Sequence, residues 1–96
     1  MHLKIPHKFG RSAAIARVQD AVAEARSKMG DKLTIEEERW EGDTLNFAFT
    51  AQGQHITGTL QVEDKEFVLD AKLPLMLRFF EKRIEREIAE QVKNTL

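Results

Sequence analysis

Four consecutive segments with strand periodicity, joined by short polar turns, constrain the fold of this 96-residue chain most strongly. Between residues 33 and 73, apolar side chains recur at nearly every second position, which is the period of a strand with one buried face. Turns are indicated at residues 41–43, at Gln52-Gly53 and at Asp64-Lys65. Strands joined by such short turns pair antiparallel. The region therefore predicts a four-stranded meander with one apolar face that a second layer must cover.

The first of these strands is irregular. Leu33 and Ile35 share one parity, whereas Trp40 has the other. A β-bulge within residues 36–38 would bring Trp40 to the inward face. The three glutamates at 36–38 are interpreted as a solvated edge that deters pairing with another sheet.

An additional strand and a helix are predicted before the meander. Leu3, Ile5, His7 and Phe9 alternate with polar residues or proline, which predicts a strand. Because Pro6 has no N–H to donate, this strand lies at a sheet edge or the nitrogen of Pro6 points outward. Apolar residues then recur at three- and four-residue steps over residues 13–29, which predicts a helix. Ser12 is its expected N-cap and Gly30 its expected C-terminal stop.

Residues 73–92 are predicted to form one long C-terminal helix, with Pro74 in its first turn. At 100° per residue its apolar stripe spans about 160°. That stripe comprises Met76, Leu77, Phe80, Ile84, Ile88 and Val92. The order β-α-β-β-β-β-α predicts an α+β fold, a two-layer sandwich formed by residues 1–96 as a single domain. The C-terminal helix would lie across one face of the antiparallel sheet, a reduced helix-grip-like arrangement.

Strand parity and helix phase converge on one set of core positions, which we expect to be nearly fully buried. They are Phe47, Phe49, Leu60, Leu69 and Ile84. If the space between the sheet and the C-terminal helix is hollow, the same side chains would line a cavity.

Two large apolar residues miss the stripe. Leu75 lies about 180° from Ile84 and Phe79 about 140° from it. One interpretation places both under the N-terminal strand or at the sheet end. The other is an exposed apolar patch surrounded by cations, suited to a homodimer, a lipid surface or a hydrophobic polymer. The cations are Arg78, Lys82, Arg83 and Arg86.

Composition excludes some classes of protein. There is no cysteine, which excludes disulfides and thiolate metal sites and fits a cytoplasmic protein. No signal peptide is recognised, and no apolar run approaches the roughly 20 residues of a membrane span.

The net charge of −1 conceals an uneven distribution of charged residues along the chain. Residues 1–30 carry six Lys or Arg against two Asp or Glu, residues 31–70 three against ten, and residues 71–96 six against four.

His7 is the one ionisable residue predicted on the inward face of a strand, and it is either a structural imidazole or a polar site group. Ser12 is read as a helix cap rather than a nucleophile, since it lies in no nucleophile elbow. No cofactor, catalytic or metal site is expected. No nucleic-acid binding is expected either, because the strand aromatics face inward rather than towards a basic surface.

The order of several short motifs resembles that of the polyhydroxyalkanoic acid system proteins. These motifs are Ile5-Pro6-His7-Lys8-Phe9-Gly10; Ala14 with Arg17-Val18; Trp40-Glu41-Gly42-Asp43 with Leu45 and Phe47; Gly58; Leu73-Pro74-Leu75; and Ile84 with Ile88. The resemblance spans essentially the whole chain. It implies a bacterial cytoplasmic protein associated with polyester storage granules, and it implies no catalytic residues.

The sequence therefore predicts a non-enzymatic accessory protein that binds a hydrophobic surface, such as a polyester granule, or a granule-associated protein. The alternative is a carrier that holds a small acyl-type ligand between the sheet and the C-terminal helix. A third class is an enzyme that acts on hydroxyacyl groups. A hollow space there would favour the carrier, whereas a filled core with Leu75 and Phe79 exposed would favour the surface binder.

Overall fold

The computed structural model describes residues 1–95, and of Thr95 only the backbone. The predicted domain of residues 1–96 thus includes Leu96, which lies outside the described residues. The elements follow in the order β1 (His2–Pro6), α1 (Arg11–Met29), a short 3-10 turn (Gly30–Lys32), β2 (Leu33–Glu41), β3 (Thr44–Ala51), β4 (Gln54–Val62), β5 (Glu66–Lys72), α2 (Leu75–Arg78) and α3 (Glu81–Thr95).

The five strands form one antiparallel sheet in the order β1-β5-β4-β3-β2. The predicted α+β class and meander are confirmed, and β1 with Pro6 lies at an edge. Gln52 and Gly53 join β3 to β4 with φ angles of 52° and 76°. Two consecutive positive φ angles match the right-handed twist of a hairpin, and glycine adopts the second at little cost.

The predicted bulge in β2 is present. Ile35 pairs with Phe49, but Glu37 pairs with Ala48, so Glu36 is the extra residue. The shift brings Trp40 opposite the buried Leu45. It also places Glu38 opposite Phe47, on the inward face.

The hydrophobic core occupies one end of the sheet, under the first half of α1. Its buried members are Ile5, Ala14, Val18, Leu45, Val62 and Phe67. The register explains this position, because Phe67 pairs with both Ile5 and Val62. The five positions predicted to be nearly fully buried are only half-buried, so that prediction is wrong. For the four sheet residues the reason is an open groove between them and α1, which leaves part of each side chain uncovered.

Both helix predictions need correction. Residues 73–92 do not form one helix, because α2 ends at Arg78 and α3 begins at Glu81. The interruption breaks the continuous stripe, and Met76 and Phe80 are exposed rather than buried. The helix α1 begins at Arg11 with Gly10 as its N-cap, so Ser12 lies inside the first turn and is not the cap.

The C-terminal helix α3 packs at the β1 side of the sheet rather than across its middle. Ile88 and Val92 carry this packing, since both lie against the buried core. The helix-grip-like arrangement stays a prediction.

Candidate functional site

Four large apolar side chains lie in water at the start of the C-terminal helical region. Leu75 is 71% exposed, Met76 69%, Phe79 82% and Phe80 54%. We call these four residues the apolar patch. Helix phase predicts that only Leu75 and Phe79 are exposed. Because the helix breaks between α2 and α3, Met76 and Phe80 are exposed as well.

The local backbone presents this patch. Pro74 is the N-cap of α2, and its carbonyl accepts hydrogen bonds from the N–H groups of Leu77 and Arg78 at 2.9 and 3.2 Å. One turn later the N–H of Ile84 donates to the carbonyl of Phe80 at 2.9 Å, which starts α3. Four helical residues and a two-residue turn thus carry all four apolar side chains. A segment this short cannot bury all of its side chains against the sheet.

The four predicted cations are exposed and lie close to the patch in sequence. Arg78 is in α2, and Lys82, Arg83 and Arg86 are in the first half of α3. Arg83 Nε lies 3.2 Å from Glu87 Oε1, an exposed pair one helical turn apart. Arg78, Lys82 and Arg86 make no ion pair with any residue from 1 to 95. Their charges therefore remain available to a partner.

A second apolar surface is a groove of about 410 Å³ between α1 and the sheet. Val18, Ala21, Val22, Ala25 and Met29 of α1 form one wall. The floor and far wall are Leu33, Ile35, Glu37, Glu38, Leu45, Phe47, Ala48, Phe49, Ala51, Leu60 and Leu69. Four of the five predicted cavity residues line this groove, and Ile84 does not.

The wall of the groove corrects the predicted site, because it comes from α1 and not from the C-terminal helix. The first half of α1 packs on the core through Ala14 and Val18. Its second half presents Ala21 and Ala25, whose methyl groups are too short to fill the space above Phe47 and Phe49. The alanine-rich composition of α1 is the sequence signal for this space.

Among the residues that the structure describes, Glu37 and Glu38 of β2 are the charged ones that line the groove. The bulge turns Glu38 inward, where its Oε1 lies 2.7 Å from Nη2 of Arg26 on α1. Glu37 instead pairs with Arg39 at 3.2 Å. The groove is therefore apolar inside with carboxylates along its β2 rim.

His7 is buried, with 8% of its surface exposed. Its Nε2 lies 2.7 Å from the carbonyl oxygen of Glu63, and the N–H of Phe9 lies 3.2 Å from its Nδ1. These contacts assign the neutral ring with the proton on Nε2, donating to Glu63 and accepting from Phe9. The ring also packs 4.6 Å from the Phe67 ring, centroid to centroid. Both nitrogens are engaged by backbone, so this geometry favours the structural interpretation.

Both apolar surfaces are suited to binding an apolar partner. Within residues 1–95, no cluster of three His, Asp or Glu side chains could hold a metal ion. No helix in the described part of the chain is long and apolar enough to cross a membrane.

Comparison with known proteins identifies the family. The family model described as "Putative polyhydroxyalkanoic acid system protein" matches residues 1–96, the whole chain. Searches of curated proteins and of solved structures found no significant match. Since the family match covers every residue, the chain belongs to the polyhydroxyalkanoic acid system protein family.

Proposed function

We propose that this protein is a non-enzymatic accessory protein of polyester granules that binds a hydrophobic surface through the apolar patch. The observation that carries the proposal is the exposure of Leu75, Met76, Phe79 and Phe80 within six consecutive residues. Membership of the polyhydroxyalkanoic acid system family supports a polyester granule, or a protein on it, as the surface. The proposal places the protein in the bacterial cytoplasm, where such a granule would be reached.

The energetics of the patch support binding. Burying a Leu, Met or Phe side chain is worth roughly 1.5–3 kcal/mol relative to leaving it in water. Scattered single apolar residues need no explanation, but contiguous patches commonly mark interaction sites. The aliphatic stems of Arg78, Lys82 and Arg86 could lie along an apolar contact while their charged ends stay in water.

The test is co-sedimentation of the purified protein with purified polyester granules. The double variant Leu75→Ser with Phe79→Ser removes the two most exposed side chains of the patch. Because both are in water in the free protein, the fold should persist, and the affinity for granules should fall by roughly tenfold or more.

The matched control is Glu90→Ser, which changes an exposed residue of α3 outside the patch. It should bind granules like the unmodified protein. Equal binding by the double variant, with an unchanged circular dichroism spectrum, would contradict the proposal.

A carrier of a small acyl-type ligand is the second candidate, and the groove is the observation that favours it. A volume of about 410 Å³ falls within the range of small-molecule pockets, roughly 300–1,000 Å³. Its position differs from the prediction, because the ligand would lie between the sheet and α1. A carrier should retain an acyl molecule that native mass spectrometry detects on the purified protein.

A further inference from the structure

The apolar patch and the groove are two separate unfilled surfaces of one chain. No patch residue lines the groove. We infer that the groove of one copy receives the apolar patch of a second copy. The inference goes beyond granule binding and does not depend on it.

Charge complementarity points to a second copy as the occupant. The groove is bordered by β2, which carries four glutamates, and two of these, Glu37 and Glu38, line the groove. The four carboxylates outnumber the two arginines that pair with this strand, Arg39 of β2 and Arg26 of α1. The patch is bordered by Arg78, Lys82 and Arg86, which have no ion-pair partner within residues 1–95. When Phe79 enters the groove, these cations come close to the carboxylate rim. Opposite charges around an apolar contact favour this pairing over a pairing of two patches, which would bring cations together.

The shapes of the two surfaces also agree. Phe79, the residue after α2, is 82% exposed, so its ring is free to enter a concave surface. The groove is a concave surface with an aromatic floor of Phe47 and Phe49. Bulky side chains seated in apolar pockets carry most of the binding energy in protein interfaces.

Because the patch and the groove are different surfaces, the contact is heterologous. Each contact uses the groove of one copy and the patch of the other. Two defective variants can therefore complement each other, provided that each retains the surface that the other lacks. A contact between two patches has no such property.

The experiment uses sedimentation velocity over a range of concentrations at low ionic strength. The groove variant is Ala25→Gln, which places a longer polar side chain in the groove on a good helix former. The patch variant is Leu75→Ser with Phe79→Ser. Each variant alone should self-associate roughly tenfold or more weakly than the unmodified chain. An equimolar mixture of the two should form a heterodimer, because one intact groove and one intact patch remain.

The controls change the same helices outside both surfaces. Ala23→Gln lies on α1 at an exposed position that does not line the groove, and Glu90→Ser lies on α3 outside the patch. Both should associate like the unmodified chain. If Ala25→Gln lowers stability, Met29→Ser serves as the groove variant, since Met29 lines the groove and is 40% exposed.

Three results would overturn the inference. The unmodified chain could remain monomeric at the highest concentration tested. The groove variant could associate normally, which would indicate contact between two patches. Native mass spectrometry could show an acyl molecule that Ala25→Gln displaces, which would assign the groove to a carrier.

Granule binding separates this inference from the proposed function. The groove variant retains its patch, so it should co-sediment with granules at least as well as the unmodified chain. If the groove variant loses self-association but still binds granules, the result supports both this inference and the proposed function. Normal self-association of the groove variant overturns the inference alone.

Discussion

Gly58 shows how a single residue determines the packing of strands in this sheet. It lies between Phe47 on β3 and Ala71 on β5 in the register. A Cβ atom on this residue would lie 2.8 Å from Ala71 Cα and 2.9 Å from Phe47 Cζ, and would also collide with the carbonyl oxygen of Asp70. Backbone atoms of β5 cannot move aside as a flexible side chain can.

We therefore expect Gly58→Ala to lower the free energy of unfolding by about 1–3 kcal/mol or more, as overpacking does elsewhere. Urea denaturation followed by circular dichroism measures the change. Thr59→Ala, on the other face of the same strand, is the control and should cost less. A cost for Gly58→Ala no greater than that of the control would show that the strands separate without penalty.

His7 is a buried polar residue, and both of its ring nitrogens form hydrogen bonds with backbone groups of the same chain. Asparagine could still accept from the N–H of Phe9, but it is too short to reach the carbonyl of Glu63 or to fill the space beside Phe67. We expect His7→Asn to lower the free energy of unfolding by about 1–3 kcal/mol, the cost of leaving a buried polar group unpaired. Granule co-sedimentation of the folded variant should be unchanged. Lost binding at unchanged stability would instead assign His7 to a site.

At the scale of elements, α3 is held by its second half. Ile88 packs against the buried core, whereas Ile84 lies on the same helix and is half-buried outside that cluster. We expect Ile88→Ala to lower the free energy of unfolding by about 1–3 kcal/mol, below the 2–5 typical of full burial. Ile84→Ala should cost less. Thermal or urea unfolding compares the two, and an equal or larger cost for Ile84→Ala would contradict this account of the packing.

At the scale of the whole molecule, one small chain presents two apolar surfaces of different form. A chain of this size buries only about 60–65% of the surface that its unfolded form exposes, so its stability is modest. Association with a second copy or with a polyester surface buries the patch without changing the fold. Both contacts use the patch, so we expect them to compete.

The sequence alone determined the local features of this protein. Alternation with period two fixed the meander, its inward face and its turns, because adjacent strands joined by short turns have no other partner. The bulge that turns Trp40 inward followed from one parity change. Pro6 left two possibilities for β1, an edge position or an outward-pointing nitrogen, and the sheet order shows the edge. The family also followed from the order of motifs along the chain.

Tertiary structure decided which part of the sheet is covered. Helical periodicity says which side of a helix is apolar, but not how far along the sheet that helix lies. Thus α1, through Ala14 and Val18, buries one end of the sheet, and Ala21 and Ala25 leave a groove at the other. The break after Arg78 was equally unpredictable, since residues 75–92 contain no proline or glycine that would end a helix. The position of α3 depends on contacts with β1, which is distant in sequence, and only the folded chain brings the two elements together.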